Sequence, residues 1–137
     1  TRGQLISLLM KFGIDIVSIS RGNRDREKMI LRGILEGLFM QTSMLNLSTG
    51  NYIFLVGSKD ASIHPSSSLY KRKPEWIVWS DYIFTSKAYV RTVSEIQPEW
   101  LFEASPSYFD VNNLTEGQIK RELENVKERM KERNRFK

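Results

Sequence analysis

The segment 63–91 constrains the fold more than any other part of the chain, because its pattern is that of β-strands joined by polar turns. It begins with IHPSSSL, continues through the basic connector KRK at 71–73, and then runs PEWIVWSDYIF. The polar triplet TSK at 85–87 follows, and AYVR completes the segment. Aromatic and β-branched residues favour strands, whereas short polar runs favour turns. The segment therefore predicts a short strand, a basic loop and a long hairpin, a surface that suits a nucleic-acid backbone.

The part of the chain before this segment has a helical hydrophobic period. A first helix is predicted by apolar residues at helical spacing, namely Leu5, Leu8, Leu9 and Phe12. Gly13 offers it a left-handed C-terminal cap. A second helix is expected to follow Asn23 as its N-cap and to run to about Gln41. Gly33 and Gly37, four residues apart in that helix, predict the close approach of another backbone.

From Gly50 onward the period becomes strand-like. The pattern predicts strands at 51–56, 61–64, 76–84 and 88–96, followed by a helix that opens at Pro98. Short strands followed by a helix fit a small, partly open Greek-key barrel. We expect residues from about Gly50 to Phe109 to form a five-stranded or nearly closed antiparallel barrel. The strand count alone does not separate this fold from an SH3-like barrel.

The last part of the chain predicts a charged helix with a narrow apolar stripe. The stripe consists of Ile119, Leu123, Val126 and Met130. Thr115 and Gln118 form a capping-box pair, and a basic end at 127–137 complements the helix dipole. The stripe is expected to lie on another surface of the protein.

Composition narrows the classes of protein that remain. The chain has 137 residues, enough for one domain with an appendage, and a formal net charge of +5 that favours polyanionic partners. It has no cysteine and one histidine, His64, which excludes disulfides and argues against a zinc site. No apolar run approaches the roughly 20 residues of a membrane span, and no secretory signal opens the chain.

The order of motifs closely resembles the C-terminal oligonucleotide/oligosaccharide-binding (OB) domain of DEAH-box RNA helicases. The motifs are a His-Pro-Ser-Ser turn from His64, a Glu-Trp strand start at Glu75, a Thr-Ser-Lys-x-Tyr-x-Arg hairpin from Thr85 and a Pro-x-Trp-Leu helix from Pro98. The helix 32–39, RGILEGLF, resembles the helix that precedes this barrel in the family. The exit SPSYF at 105–109 is most similar to the subgroup acting in spliceosome disassembly and ribosome assembly.

The resemblance implies a mainly β chain with flanking helices. Residues 1–47 would be a helical segment from the end of a ratchet-like domain. Residues 48–109 would form the OB-fold, a five-stranded Greek-key barrel, and 110–137 a tether with a C-terminal amphipathic helix. Trp79, Ser80 and Ser105 depart from the usual residues of the family.

The chain lacks the phosphate-binding loop and the Asp-Glu-Ala-His motif, so we expect no ATP hydrolysis by this chain alone and no cofactor in it. The resemblance implies a parent ATP-dependent RNA helicase whose two motor domains bind ATP and magnesium. It also implies single-stranded RNA and a G-patch-type activator as partners, a nuclear or otherwise cytoplasmic location, and no membrane association.

The strongest candidate site is the hairpin, with Thr85, Ser86, Lys87, Tyr89 and Arg91 as predicted RNA-binding residues. Its hydroxyls and cations suit phosphate and sugar oxygens, and the resemblance places the hairpin against the RNA strand. The plainer interpretation is an exposed turn with ordinary surface cations and with Tyr89 in the core.

Weaker RNA-binding candidates are His64, Lys71, Arg72 and Lys73. His64 is expected mainly to hydrogen-bond its own turn, with Ser66 or Ser67 capping a short helix at 68–70. The three cations of the connector are also typical of a solvated loop.

The three tryptophans are more typical of core than of base stacking, except Trp79, which is expected to be exposed or covered by a neighbouring domain.

Two functions remain open at this stage. One is a non-catalytic RNA-binding and regulatory OB domain that couples RNA or activator binding to a helicase motor. The alternative is an OB-type protein–protein interaction module, for which the stripe from Ile119 to Met130 would be the partner-binding face.

Overall fold

The computed structural model describes residues 1–57, 59–114 and 117–135. It confirms the predicted fold class, since two helices precede a five-stranded barrel and a long helix follows it. The elements are α1 (Arg2–Lys11), α2 (Arg26–Leu38), β1 (Thr42–Leu45), β2 (Tyr52–Phe54), β3 (Asp60–Ile63), β4 (Trp76–Phe84), β5 (Ala88–Glu95), α3 (Glu99–Ala104), a 3-10 turn (Val111–Asn113) and α4 (Gln118–Arg135).

The sheet closes in the order β1-β2-β3-β5-β4, with β4 pairing back to β1. All neighbouring strands are antiparallel except β3 and β5, which are parallel. The prediction of an antiparallel barrel was therefore wrong at this one pair. A closed ring with an odd number of strands cannot alternate in direction throughout, so one pair must be parallel.

Strand β1 precedes Gly50, the residue at which the sequence pattern predicted the change from helices to strands. Thr42, Ser43 and Met44 are buried, and they pair with β2 on one side and β4 on the other. The interpretation of 1–47 as helical was wrong for these residues, and the barrel begins ahead of the predicted boundary at residue 48. With only four residues, β1 gives too short a pattern to be separated from the end of a helix.

The side chains of β4 alternate between two hydrophobic cores. Ile77 and Trp79 point into the barrel, where they meet Tyr52, Ala61, Ile63 and Val90. Trp76 and Val78 point outward, beneath the helices, into a core that includes Leu35, Trp100, Leu101, Phe109 and Leu123. The helices therefore cover the outward side chains at the start of β4, and the site described below lies on a part of the barrel outside this core.

Trp79 was predicted to be exposed or covered by another domain, and this prediction was wrong. Only 8% of the residue is exposed, and its indole Nε1 donates a hydrogen bond to Ser43 Oγ at 2.9 Å. Because the Ser43 hydroxyl, on β1, accepts the hydrogen bond of the indole N–H, the indole can be buried inside the barrel. The prediction that Trp76 and Trp100 belong to the core is confirmed.

Helix α4 packs on the protein through its apolar stripe, as expected. Leu123 and Val126 are buried, while Ile119 and Met130 are half-buried. Ile119 contacts the outer core. The predicted capping box includes Thr115, which lies outside the described residues, as does the end of the basic tail at 136–137.

The first two helices differ from the predictions in detail. Gly13 has a left-handed φ of +68° after α1, as predicted for its cap. The prediction of Asn23 as the N-cap of α2 was wrong, because the N-cap is Asp25, two residues later, and the helix ends at Leu38 rather than near Gln41. The Asp25 N–H donates to Asn23 Oδ1 at 2.9 Å. No heavy atom lies within 4 Å of a Cβ placed at Gly33 or Gly37, so the predicted close approach of another backbone is wrong.

Candidate nucleic-acid interface

The outer face described here is formed by β3, the start of β5 and the end of β4, beyond the part of β4 that the helices cover. Val90 is fully buried inside the barrel, so its neighbours Tyr89 and Arg91 point outward from β5. In the register, Tyr89 lies between Ser62 on β3 and Ile83 on β4, and Arg91 lies opposite Asp81 on β4. Two of the predicted site residues, Tyr89 and Arg91, therefore share one face.

A groove of about 240 Å³ lies on this face, between the β1–β2 loop and the tip of the β4–β5 hairpin. Its lining joins the predicted residues Lys73, Lys87 and Tyr89 to polar residues from the loop and β3. The full lining is Thr49, Gly50, Asn51, Tyr52, Ser62, Ile63, Pro65, Tyr70, Lys73, Lys87 and Tyr89. Lysines from two separate loops thus meet around one groove.

The floor of the groove carries a fixed network of hydrogen bonds. Ser62 Oγ donates to Asn51 Oδ1 at 2.8 Å, and Asn51 Nδ2 donates to Asp60 Oδ2 at 2.8 Å. The two bonds fix the orientation of the Asn51 amide. Asn51 retains a second amide hydrogen and Ser62 a hydroxyl lone pair, groups that suit sugar or base atoms.

The hairpin tip is formed by Thr85, Ser86 and Lys87, as predicted. The Thr85 N–H donates to the Lys87 carbonyl oxygen at 3.0 Å, and Phe84 pairs with Ala88 at the last rung of the ladder. All three tip residues are exposed. The hydrogen bond closes the turn, and Thr85 Oγ1 donates to the same carbonyl oxygen at 3.5 Å. The Ser86 hydroxyl and the Lys87 ammonium are left exposed.

His64 holds the turn that follows β3. Its Nδ1 lies 2.7 Å from Ser66 Oγ and accepts from the Ser66 N–H at 3.2 Å, as expected from the sequence. The ring of His64 also packs edge-on against Tyr89, with 5.5 Å between ring centroids. The short helix predicted at 68–70 is a turn instead, in which Ser67 Oγ accepts from the Leu69 N–H at 3.3 Å.

The three cations of the connector have different surroundings. Lys71 is exposed and does not line the groove, while Arg72 forms an ion pair with Glu95 at 3.1 Å. Lys73 lines the groove, and its Nζ lies 3.3 Å from the position of a Cβ built on Gly50. Gly50 has a φ of +74°, so glycine suits this part of the loop. Of the three cations, Lys73 is the one that the fold brings to the site.

A buried tyrosine fixes the end of the connector. The Tyr52 hydroxyl donates to the Pro74 carbonyl oxygen at 2.7 Å, one residue after Lys73. Burial, with a smaller contribution from the charge of Glu95, raises the pKa of Tyr52 to about 12. The neutral phenol is therefore the form that the fold favours.

Asp81 lies beside Arg91 at the base of the hairpin. Its Oδ2 accepts hydrogen bonds from Thr92 Oγ1 and from Ser80 Oγ, each at 2.8 Å. The hydrogen bond from Thr92 lowers the pKa of Asp81 most, and the bond from Ser80 and the charge of Arg91 lower it further. The carboxylate is ionised at neutral pH and forms the acidic edge of this face.

Sequence reasoning missed several residues of the site, among them Asn51, Ser62 and Tyr70. Asn51 immediately precedes β2 and Ser62 lies in β3, so only the pairing of β2 with β3 brings them together. The available signal was the polar Ser62 between the buried Ala61 and Ile63, which marks an outward position.

The chemistry of the site is that of binding rather than catalysis. It combines ammonium groups, hydroxyls, an amide and tyrosine rings, which suit phosphates, sugars and stacked bases. Within 1–57, 59–114 and 117–135, no cluster of three or more His, Cys, Asp or Glu residues could hold a metal ion. Over the same ranges, no helix combines the length and hydropathy needed to cross a membrane.

Residues 30–108 match the family described as oligonucleotide/oligosaccharide-binding (OB)-fold. The match covers more than half of the chain and includes all five strands of the barrel. It begins within α2, so it also places β1 inside the domain.

Proposed function

The chain belongs to the oligonucleotide/oligosaccharide-binding (OB)-fold family, and we propose that its groove binds the backbone of single-stranded RNA. OB-folds bind oligonucleotides and oligosaccharides on the face of strands 2 and 3, between the β1–β2 and β4–β5 loops. The groove has this location, because Asn51, Ser62 and Lys87 come from those same elements. This coincidence of position and chemistry is the observation that carries the proposal.

Each part of the groove has a role in the proposed complex. Lys73 and Lys87 approach the strand from two sides and neutralise phosphates, and Arg91 extends the cationic surface along β5. Thr85 and Ser86 offer hydroxyls to phosphate or sugar oxygens. Tyr89, held edge-on by His64, presents a ring on which a base can stack. Lys71 and Arg72 contribute charge without entering the groove.

We further propose that the chain is the regulatory domain of a DEAH-box ATP-dependent RNA helicase. The support is the order of motifs, from the His-Pro-Ser-Ser turn to the Pro-x-Trp-Leu helix, around a barrel of the OB-fold family. In such a parent, two motor domains would bind ATP and magnesium, a G-patch-type activator would be a partner, and the protein would act in the nucleus. The coding sequence upstream of Thr1 should then encode two RecA-like domains.

The alternative of a protein-interaction module finds less support. In that alternative, the apolar stripe of α4 would bind the partner protein. Leu123 and Val126 of this stripe are buried within the chain itself. A stripe that covers the barrel is not free to bind another protein.

Substitutions at the hairpin test the proposed RNA site. We expect Lys87→Ala and Arg91→Ala each to weaken the binding of labelled single-stranded RNA about fivefold, since an exposed charge pair contributes up to about 1 kcal/mol. The log–log salt slope should flatten by about 0.7 for each lost phosphate contact. Lys28→Ala, on the exposed surface of α2, is the matched control.

Unchanged affinity and salt slope in both hairpin variants, with unchanged thermal stability, would exclude the hairpin from the RNA site. The chain by itself should show no ATPase activity with or without RNA, because its sequence has no phosphate-binding loop.

A further inference from the structure

Asp81 joins three groups at the point where the hairpin leaves the barrel. Two hydroxyls, from Thr92 and Ser80, donate to the same carboxylate oxygen, Oδ2, at 2.8 Å. The third group is Arg91, which faces Asp81 directly across the β4–β5 ladder. The carboxylate is therefore bonded to both strands of the hairpin at one level.

Thr92 has an unusual backbone conformation for its residue type. Its φ is +51°, in the left-handed region that β-branched residues rarely adopt. The ladder is interrupted at the same place, since Asp81 pairs with Arg91 and Trp79 with Val93, while Ser80 and Thr92 are not among the paired residues. A strained backbone conformation persists where surrounding contacts hold it. For Thr92, the only side-chain hydrogen bond described is the one to Asp81.

The strained residue directly follows Arg91, so its conformation sets the direction in which β5 carries the arginine. We infer that Asp81 is a positioning residue for RNA binding, which fixes the left-handed backbone of β5 at Thr92 and thereby holds Arg91 on the outer face toward the RNA backbone. This inference rests on the proposed RNA-binding function. Asp81 itself touches no RNA in this account, because a carboxylate repels phosphate.

A purely electrostatic role for Asp81 predicts the opposite effect on RNA affinity when the carboxylate is removed. If the carboxylate acted only as a negative charge near the site, its removal would strengthen RNA binding at low salt. If it positions Arg91, loss of its hydrogen bonds weakens binding even when its charge is kept. Thr92→Val separates the two roles, because it removes the hydroxyl that Asp81 accepts from and changes no charge.

The experiment is a double-mutant cycle on the chain, read as affinity for a fluorescein-labelled single-stranded oligouridylate in moderate salt. An exposed charge contact of about 1 kcal/mol implies a roughly fivefold loss of affinity for Arg91→Ala. We expect Thr92→Val to cause most of that loss and to weaken binding about threefold. In the Arg91→Ala background, Thr92→Val should have no further effect. In the Lys87→Ala background it should have its full effect, since Lys87 lies at the hairpin tip, away from Thr92 and Asp81.

Asp81→Asn is the second variant, and it guards against loss of structure. The amide oxygen can still accept from Thr92, so this variant should retain the arrangement of Arg91 and bind at least as tightly as the parent chain. Asp81→Ala should bind more weakly than Asp81→Asn, although both remove the same charge. Thermal unfolding of each variant identifies any general loss of the fold.

Four results would overturn the inference. Additive losses for Thr92→Val and Arg91→Ala would show that the two residues act independently. Equal affinities for Asp81→Ala and Asp81→Asn would show that only the charge matters. If Arg91→Ala weakens binding and Thr92→Val does not, the inference fails while the RNA site stands. If Arg91→Ala itself has no effect, the inference fails, and the RNA site at the hairpin fails with it only if Lys87→Ala also has no effect.

Discussion

The hydroxyl of Tyr52 donates to the carbonyl oxygen of Pro74 over 2.7 Å in the interior of the protein. The bond crosses from the second strand of the barrel to the end of the basic connector, immediately after Lys73. It therefore links the barrel interior to one wall of the proposed RNA groove. The position of Lys73 depends on a contact that lies outside the connector itself.

Removal of this hydroxyl should destabilise the protein. Tyr52→Phe leaves the buried Pro74 carbonyl without this donor, and the loss of a buried partner costs about 1–3 kcal/mol. Urea denaturation measures the change, with Tyr82→Phe as the control because Tyr82 is 45% exposed. Equal stability of the two variants would mean that the hydrogen bond to Pro74 contributes nothing.

Stability should also fall at high pH because of Tyr52. Its pKa is about 12 in the folded protein against an ordinary value of 10.0, so the folded state holds the phenol proton more tightly than the unfolded chain does. This contribution is complete below pH 10 and is lost as the pH rises toward 12. The difference in unfolding free energy between the parent chain and Tyr52→Phe should shrink over that range. A difference that stays constant from pH 9 to 12 would contradict the raised pKa.

The buried pair of Trp79 and Ser43 gives a second test of the barrel. Ser43→Ala leaves the indole N–H unpaired inside the protein, at an expected cost of about 1–3 kcal/mol. Thermal or urea unfolding measures the loss, with the exposed Ser68→Ala as the control. A stability matching that of Ser68→Ala would argue that Trp79 finds another acceptor.

Helix α4 should behave as part of the domain. Leu123 is fully buried, so Leu123→Ala should cost about 2–5 kcal/mol. Glu124→Ala, on the exposed side of the same helix, should change stability by no more than about 0.5 kcal/mol. Similar small effects for both would mean that α4 does not pack on the barrel, and the protein-interaction alternative would regain its free apolar face.

The parts of the fold that sequence predicted well are those with a long or regular pattern. Strand β4 has nine residues rich in aromatic and β-branched side chains, and α4 repeats its apolar residues from Ile119 to Met130. Strand β1 was missed because four residues carry little periodicity, and its strand character depends on pairing with residues more than 30 positions away. Trp79 was misplaced because the acceptor that allows its burial, Ser43, is supplied by that same missed strand.

The candidate site was predicted in part for a similar reason. Lys87, Tyr89 and Arg91 lie close together in sequence, so a hairpin pattern was enough to group them. Asn51 joins them only through its bond to Ser62, and Asp81 joins Arg91 and Thr92 only through the register of β4 and β5. Such relationships depend on strand register, because a slip of one residue would move every side chain of a strand to the opposite face of the sheet.

A heteronuclear NMR titration of the chain with a short single-stranded RNA tests the RNA-binding groove most directly, and it detects weak complexes as well as tight ones. The account predicts progressive shifts of the backbone and side-chain amide signals of Asn51, Ser62, Lys87 and Tyr89, while signals of α4 remain in place. The shifts should diminish as salt is raised. Shifts confined to α4 or α1, or no shifts at millimolar RNA, would contradict the assignment of the groove as an RNA-binding site.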